Sequence, residues 1–424
     1  MQRFQTRSIA LSLLLSSCVT SLVTTFIAMT PQVASAQARN NACVAQLDSR
    51  IDRVLDRIPG QWSVLVQTQG AVGARENLYA RNPGDLLTPA SNNKVFTTAA
   101  ALAKLGSRFQ LRTPVTGNST GPELATLRII GQGDPSFSTG SLRSITQQLR
   151  SRGVQRVNLL IGDDTVFQGE PFNPFWASRH RGEGYAAPVN SLLINENNIY
   201  DSSVPNPGNY LVGEFRQMLT RSGIKVVSST LVKRTPAPPG EVELANVISP
   251  PLANLIAITN QDSNNVYAES LFKTLGRTLD PNTRDSSASG AEAVRSILME
   301  LGVNPNRFSL VDGSGLAERN RASAEALVQT LQAMALHPES EVFRRSLAVA
   351  GRTGTLQNRL TSLSGQVIGK TGTLRGAVSL SGYINVPGRS PLVFGAIANS
   401  TSSASSIRAA IDEMVVILAR TRNC

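Results

Sequence analysis

A chain of 424 residues, 41% hydrophobic and 17% charged, is long enough for two or three domains and too apolar to remain disordered. Its net charge of +12 is mostly arginine over six lysines. No run of like charge and no aromatic-interleaved basic patch accompanies it, which argues against nucleic acid as a partner. Two histidines, three cysteines and no clustered ligand spacing give no expected metal site and no cofactor.

In chain order, residues 1–36 read as an export signal. Arg3 and Arg7 precede a mostly apolar stretch from 9 to 29, and Ala34-Ser35-Ala36 ends it like a cleavage site. Small polar residues throughout the stretch favour cleavage over retention as a membrane anchor. Leu15-Ser16-Ser17-Cys18 loosely resembles a lipid-attachment box, but the apolar run before it is short and a better cleavage site follows. The expected location is the periplasm or cell-wall space. Cleavage leaves Cys43 and Cys424, a pair that an oxidising compartment can bridge or that sits as two free thiols on frayed ends.

Residues 44–58 show helical spacing through Leu47, Ile51, Val54 and Leu55, with Gly60 as a stop and a strand expected over 62–68. Pro89 introduces a second helix, with Val95, Ala99 and Leu102 on one face and Gly106 at its end. From 106 to 240 short β-like runs (124–130, 157–161, 225–232) alternate with helical ones (142–152, 211–222), closed by Pro236-Ala237-Pro238-Pro239-Gly240. Helices follow at about 252–259 and 265–275. Strands at 377–386 and 392–399, joined by a Pro-Gly turn, precede a last helix carrying Ile407, Ile411, Val415 and Leu418. The layout predicts an α/β (α+β) domain built from 37–105 and 241–424 and interrupted by a mixed α/β insertion, 106–240, of one or two small domains.

Three segments carry chemistry: Ser91-Asn92-Asn93-Lys94, Ser263-Asn264-Asn265 and Lys370-Thr371-Gly372-Thr373. Ser91 and Lys94 lie three apart, so on a helix they share a face. A lysine whose pKa is lowered by a dry or cationic setting can take the serine proton. Ser91 at the first turn also sits where helix N–H groups can hold an oxyanion. Ser263 is placed to relay a proton to a leaving amine, and Asn265 to hold Lys94 and a substrate amide. Lys370 would contribute a fixed positive charge, Thr371 and Thr373 hydroxyls, and Gly372 room for close backbone approach. The Thr373 N–H would complete the oxyanion hole. Each segment alone is explained as well by capping or an ordinary turn. Rival chemistries are thin: His180 and His337 sit in loop-like contexts read as surface, with no nucleophile elbow nearby.

With those residues in place, the chain resembles the D-alanyl-D-alanine carboxypeptidase/endopeptidase family, the large-insert (class C) low-molecular-mass penicillin-binding proteins. The likeness extends to Gly131-Gln132-Gly133-Asp134-Pro135, to Ala268-Glu269 after the second segment, to Asp312-Gly313-Ser314-Gly315-Leu316, and to 351–356 and 369–382. It implies a penicillin-recognising, transpeptidase-like antiparallel sheet flanked by helices, whose first and last helices pack side by side and bring Cys43 toward Cys424. It also implies a serine carboxypeptidase, and a DD-endopeptidase, acting on peptidoglycan stem peptides ending in D-Ala-D-Ala and blocked by β-lactams. In that family Ser91 would be the nucleophile, Lys94 the base and Ser263 the proton relay, with Asn265 and Lys370 to Thr373 binding substrate. A β-lactamase shares the three segments, but its compact fold lacks so long an insertion and no deacylating glutamate is evident here. A catalytically idle wall-binding protein of the same fold is the other alternative.

Overall fold

The computed structural model describes residues 46–232, 238–385, 388 and 390–421. Residues 1–36 with Cys18, the pair Cys43 and Cys424, and residues 233–237 lie outside the described residues.

Helix α1 covers residues 46–55, followed by strands β1 (Gln61–Thr68) and β2 (Asn77–Arg81). A 3-10 turn, Ala90–Asn92, runs into α2 (Asn93–Leu105). Then come β3 (Arg112–Gly117), β4 (Glu123–Ile130), α3 (Thr139–Ser151) and β5 (Arg156–Asp163). A long loop carries the two-residue strands β6 (Asn198–Ile199) and β7 (Ser202–Ser203). It is followed by α4 (Pro207–Arg221), β8 (Lys225–Val232) and β9 (Val242–Ile248). Helices α5 (Leu252–Gln261), α6 (Asn265–Leu279) and α7 (Ser286–Glu300) precede the small pair β10 (Phe308–Ser309) and β11 (Arg321–Ala322). The chain finishes with α8 (Ala324–Leu336), α9 (Ser340–Ser346), β12 (Ala348–Val349), β13 (Val367–Leu374), β14 (Ala377–Ile384), β15 (Leu392–Asn399) and α10 (Ala404–Arg420).

The main sheet is antiparallel, in the order β12-β13-β14-β15-β1-β2. It is covered on both faces, which is why its central strands read as apolar runs without clean alternation. On one face Val64, Val66, Phe394 and Ala396 meet Leu47, Ile51 and Leu55 of α1 and Ile407, Ile411 and Val415 of α10. The first and last helices thus share one layer, linked at the surface by the Arg57–Glu413 pair. On the other face Leu65, Tyr383, Val393 and Ile397 meet α2, α5, α6, α7 and α8.

The second sheet runs in the order β8-β5-β4-β3-β9, with β4, β5 and β8 parallel. Its last strand lies beyond Gly240, so this sheet extends over residues 112–248. Helices α3 and α4 cover one of its faces through Leu142, Ile145, Leu149, Leu211, Phe215 and Leu219, as crossovers between parallel strands require. Across the sheet Arg128 is fully satisfied, paired with Asp163 at 3.1 Å and Glu241 at 3.2 Å.

The loops leaving the ends of β4 and β5 reach over to the first unit. Lys273 of α6 donates to the Val189 carbonyl at 2.8 Å and the Glu170 carbonyl at 3.2 Å, and Ser270 donates to the Gly133 carbonyl. Among the described residues no helix is long and apolar enough to cross a membrane.

Helix α6 is held at close range by α7 through two glycines. A Cβ on Gly276 would lie 2.4 Å from the Ser286 carbonyl, and one on Gly290 would lie 2.5 Å from that of Phe272. Alanine would gain about 1 kcal/mol of helix propensity, but overpacking costs about 1–3 kcal/mol or more, and contacts this short against rigid backbone put these sites at the upper end. Gly290→Ala is therefore expected to lower the urea midpoint, and a midpoint at or above the parent's would refute this account of the helix crossing.

Candidate active site

Ser91 lies in the 3-10 turn, not in the α-helix the sequence suggested. The turn is held from three sides. Ala90 is in the left-handed region at φ 50°, a conformation costly for alanine unless its surroundings impose it. Asn92 donates to Ser379 Oγ at 2.7 Å and accepts from Ser381, while Ser379 donates to the Pro89 carbonyl at 2.6 Å. Two glycines let backbone come this close: a Cβ on Gly315 would sit 2.0 Å from the Ala90 carbonyl, and one on Gly372 would sit 2.7 Å from that of Pro89.

One helical turn later Lys94 is fully buried. Its Nζ lies 3.1 Å from Ser91 Oγ, 2.6 Å from Asn265 Oδ1 and 2.7 Å from the Ser314 carbonyl. Burial pushes this amine down to about 7, against the opposing pull of Asp312 and Glu269. The last two neighbours are carbonyl oxygens, which can only accept. A neutral amine has two hydrogens and one lone pair. The carbonyls take the hydrogens, and the lone pair is left for the Ser91 hydroxyl. The orientation of the Asn265 amide is fixed in turn, since its Nδ2 donates to the Tyr185 carbonyl at 2.8 Å.

Ser263 sits opposite, in the left-handed region at φ 59°. Lys370 Nζ donates to its Oγ at 2.9 Å and to the Thr371 carbonyl at 2.9 Å. Asn264 caps α6, accepting from Tyr267 N–H at 3.1 Å, and donates to Glu196 of the long loop at 2.7 Å. Ser263, Asn264, Asn265, Tyr185 and Glu196 line a cavity of about 430 Å³.

Lys370 to Thr373 occupy the second half of β13 rather than its start. Thr371 donates to Thr355 Oγ1 at 2.8 Å, and Thr373 is exposed. Burial first, and the facing Lys94 second, push the Lys370 amine well below the ordinary lysine range.

Two acidic residues the sequence reading gave no role support the site. Asp312 is buried and accepts from Trp176 Nε1 (2.8 Å), Ala317 N–H (2.7 Å), Gly315 N–H (2.8 Å) and Asn320 Nδ2 (2.8 Å). Glu269 Oε1 accepts the N–H groups of Gly313 and Ser314 at 3.0 and 2.8 Å. Burial, then Asp312, raises the Glu269 carboxyl to about 7. Both residues fell in segments noted above for their pattern, but a carboxylate that folds a turn looks like any other acidic residue in a string of letters. His180, read as a surface residue, is 7% exposed and bonded to the Tyr185 hydroxyl at 2.9 Å. His337 accepts from the Glu339 N–H. Among the described residues no group of His, Cys, Asp or Glu could hold a metal ion.

The comparisons with known proteins agree with this geometry. A family model described as D-Ala-D-Ala carboxypeptidase 3 (S13) matches residues 44–212 and 201–421. A D-alanyl-D-alanine carboxypeptidase of Actinomadura sp. (strain R39) is 28% identical over 93% of this chain and 88% of its own. Carboxypeptidase DacB of Mycolicibacterium smegmatis is 30% identical over 80% of this chain and 76% of its own. Penicillin binding protein 4 of Haemophilus influenzae superposes with a TM-score of 0.80 over 87% of this chain and 99% of that one, at 20% identity, and so shares the penicillin-recognising fold.

Asp312→Asn would place an NH₂ group among four donors that now find a carboxylate. The expected loss is about 3–5 kcal/mol of stability, the usual result of breaking a buried charged network from one side. Chemical denaturation measures it, and a loss within error of zero would show that the turn does not depend on this charge.

Proposed function

Because the chain belongs to the D-Ala-D-Ala carboxypeptidase 3 (S13) family and is a serine-type peptidase, we propose that it hydrolyses peptidoglycan stem peptides ending in D-Ala-D-Ala through an acyl-enzyme on Ser91. The observation that carries this reading is the buried Lys94 amine, 3.1 Å from Ser91 Oγ and lowered to about 7. A base with that pKa is half neutral near neutral pH, where general-base catalysis is most effective.

In this reading Lys94 takes the Ser91 proton as Oγ attacks the carbonyl between the two D-alanines. The N–H groups of Ser91 and Thr373 hold the oxyanion. Ser263, held by Lys370, relays the proton taken by Lys94 to the leaving amine, so that D-alanine departs and Lys94 is neutral again. Water then cleaves the ester with Lys94 again as base. Lys370, with Thr371, Gly372 and Thr373, binds the terminal carboxylate, whose charge favours the ammonium form of Lys370. Asn265 aligns a substrate amide.

A D-alanyl cross-link presents the same peptide bond to Ser91, so DD-endopeptidase cleavage follows from the same chemistry. A β-lactam mimics the substrate and leaves a stable ester on Ser91. We assign the chemistry to the two stretches on either side of the second sheet, whose strands extend the insertion expected over 106–240 to residue 248, and place the protein outside the cytoplasmic membrane after removal of residues 1–36.

Labelled penicillin tests the assignment. The parent is expected to form a long-lived adduct that is absent in Ser91→Ala. Rapid release of hydrolysed drug would mean a β-lactamase, and no adduct at all would mean an idle binding protein. Lys94→Arg, which cannot lose its proton, is expected to slow acylation about 10²–10⁴-fold.

The pH dependence follows from the same amine. Its pKa lies far below the usual lysine value, so the reactive neutral form grows as pH rises through about 7. The acylation rate should climb about tenfold per pH unit below that point and level off above it. A rate that is flat from acid to neutral pH would rule out Lys94 as the base.

A further inference from the structure

Helices α3 and α4 lie side by side on the second sheet, with a groove of about 350 Å³ between them. Arg143, Gln147 and Arg150 of α3 form one wall, and Glu214, Met218 and Arg221 of α4 form the other. On α3 these positions are spaced four and three apart and fall on one stripe. All three arginines are exposed. Where the helices return to the sheet, Arg156 at the start of β5 pairs in register with Lys225 at the start of β8. Glu214 in the groove and Glu123 beside Arg156 are the facing carboxylates.

Arginines that form no ion pair among the described residues occur elsewhere too, such as Arg53, Arg216 and Arg295, but here they converge on one groove. Arg57, Arg81, Arg112, Arg128, Arg179, Arg307, Arg345 and Arg359 each hold a carboxylate. Among the described residues Arg143, Arg150, Arg156, Arg221 and Lys225 form no ion pair, and Arg221 donates to Gln217 instead. Basic residues in the last turn of a helix are favoured by its dipole, which accounts for Arg150 and Arg221 singly but not for Arg143 or for the convergence of both helices on one groove.

The groove runs from Thr139, whose N–H is bonded to Asn195 beside Glu196 of the cavity, to Arg150 and Arg221 at the opposite end of the unit. The ends of β4 and β5 carry the loops that touch Asn264, Asn265 and Lys273. The starts of β5 and β8 carry Arg156 and Lys225. An eight-residue strand puts about 25 Å between its two ends, enough to contact a polymer while the cavity holds one of its peptides.

We propose that the α3–α4 groove is a docking surface for carboxylate-rich peptidoglycan, engaging a stretch of wall that leads away from the peptide being cleaved. The inference takes its partner from the proposed substrate. Arginine forks suit carboxylates bidentately. A membrane surface fits less well, because no aromatic lines the groove and Met218 is its one apolar wall, whereas interfacial binders insert apolar side chains.

Sedimentation of the full chain with purified, undigested sacculi tests this, using Ser91→Ala so that the polymer is not consumed. Binding is expected to weaken with added salt and to fall at least about tenfold when Arg143, Arg150 and Arg221 are all changed to Glu. It should fall likewise on sacculi whose carboxyls have been amidated. The triple charge reversal in the parent background should keep its rate of penicillin acylation, which verifies the fold independently of Ser91 chemistry. A triple change to Gln serves if the reversal misfolds. Undiminished binding by the variants, equal binding to amidated sacculi, or binding to anionic phospholipid vesicles in place of sacculi would each overturn the proposal. Failure of the Ser91 reading would show instead as a missing penicillin adduct with sacculus binding intact.

Discussion

Everything in the site turns on one fully buried amine. Lys94 Nζ touches Ser91 of its own turn, Asn265 at the start of α6 and the Ser314 carbonyl of a tight turn. Three segments far apart in sequence are thus fastened at a single nitrogen. The two carbonyl acceptors decide where its lone pair points when it is neutral. The same desolvation that lowers the amine makes any missing partner expensive. Orientation and basicity therefore come from one cause.

That cause has to be balanced by the groups beneath it. Two buried lysines, Lys94 and Lys370, face each other across the site, with Glu269 and Asp312 behind Lys94. Asp312 takes four donors and fixes the 312–317 turn, which presents the Ser314 carbonyl. Glu269 holds the same turn through two N–H groups and is itself raised toward neutrality. Groups this close titrate as a set, each proton altering the others. A carboxylate entering beside Lys370 changes the charge that Lys94 feels. Binding and base strength are thereby coupled.

Much of this was legible in the letters. Ser91, Lys94, Ser263, Asn265 and Lys370 stand in segments whose residue types name their chemistry, and the structure brings all five together. Helical periodicity located α2, α3, α4, α6 and α10 to within a few residues. What stayed hidden depends on contacts between distant segments. Asp312 and Glu269 are important because of the N–H groups around them, which no local pattern announces. β2 is five residues long, paired by a single neighbour and too short for a periodic signal. β9 belongs to the second sheet because it pairs with β3, although a Pro-rich stretch precedes it. His180 ends a three-residue 3-10 turn, too short to carry a periodic signal of its burial.

The contact between the Tyr185 carbonyl and Asn265 has a consequence for how the molecule comes into being. Ser91 is made early, but the residues that arm it arrive in reverse order of proximity: first a loop threaded between two strands of another sheet, then α6, then β13. Until the second sheet has closed and presented that carbonyl, the amide of Asn265 is free to turn and Lys94 has no fixed direction. A half-made chain therefore carries its serine in an inert state. The direction of the base in the first segment thus depends on a carbonyl that the long interruption supplies.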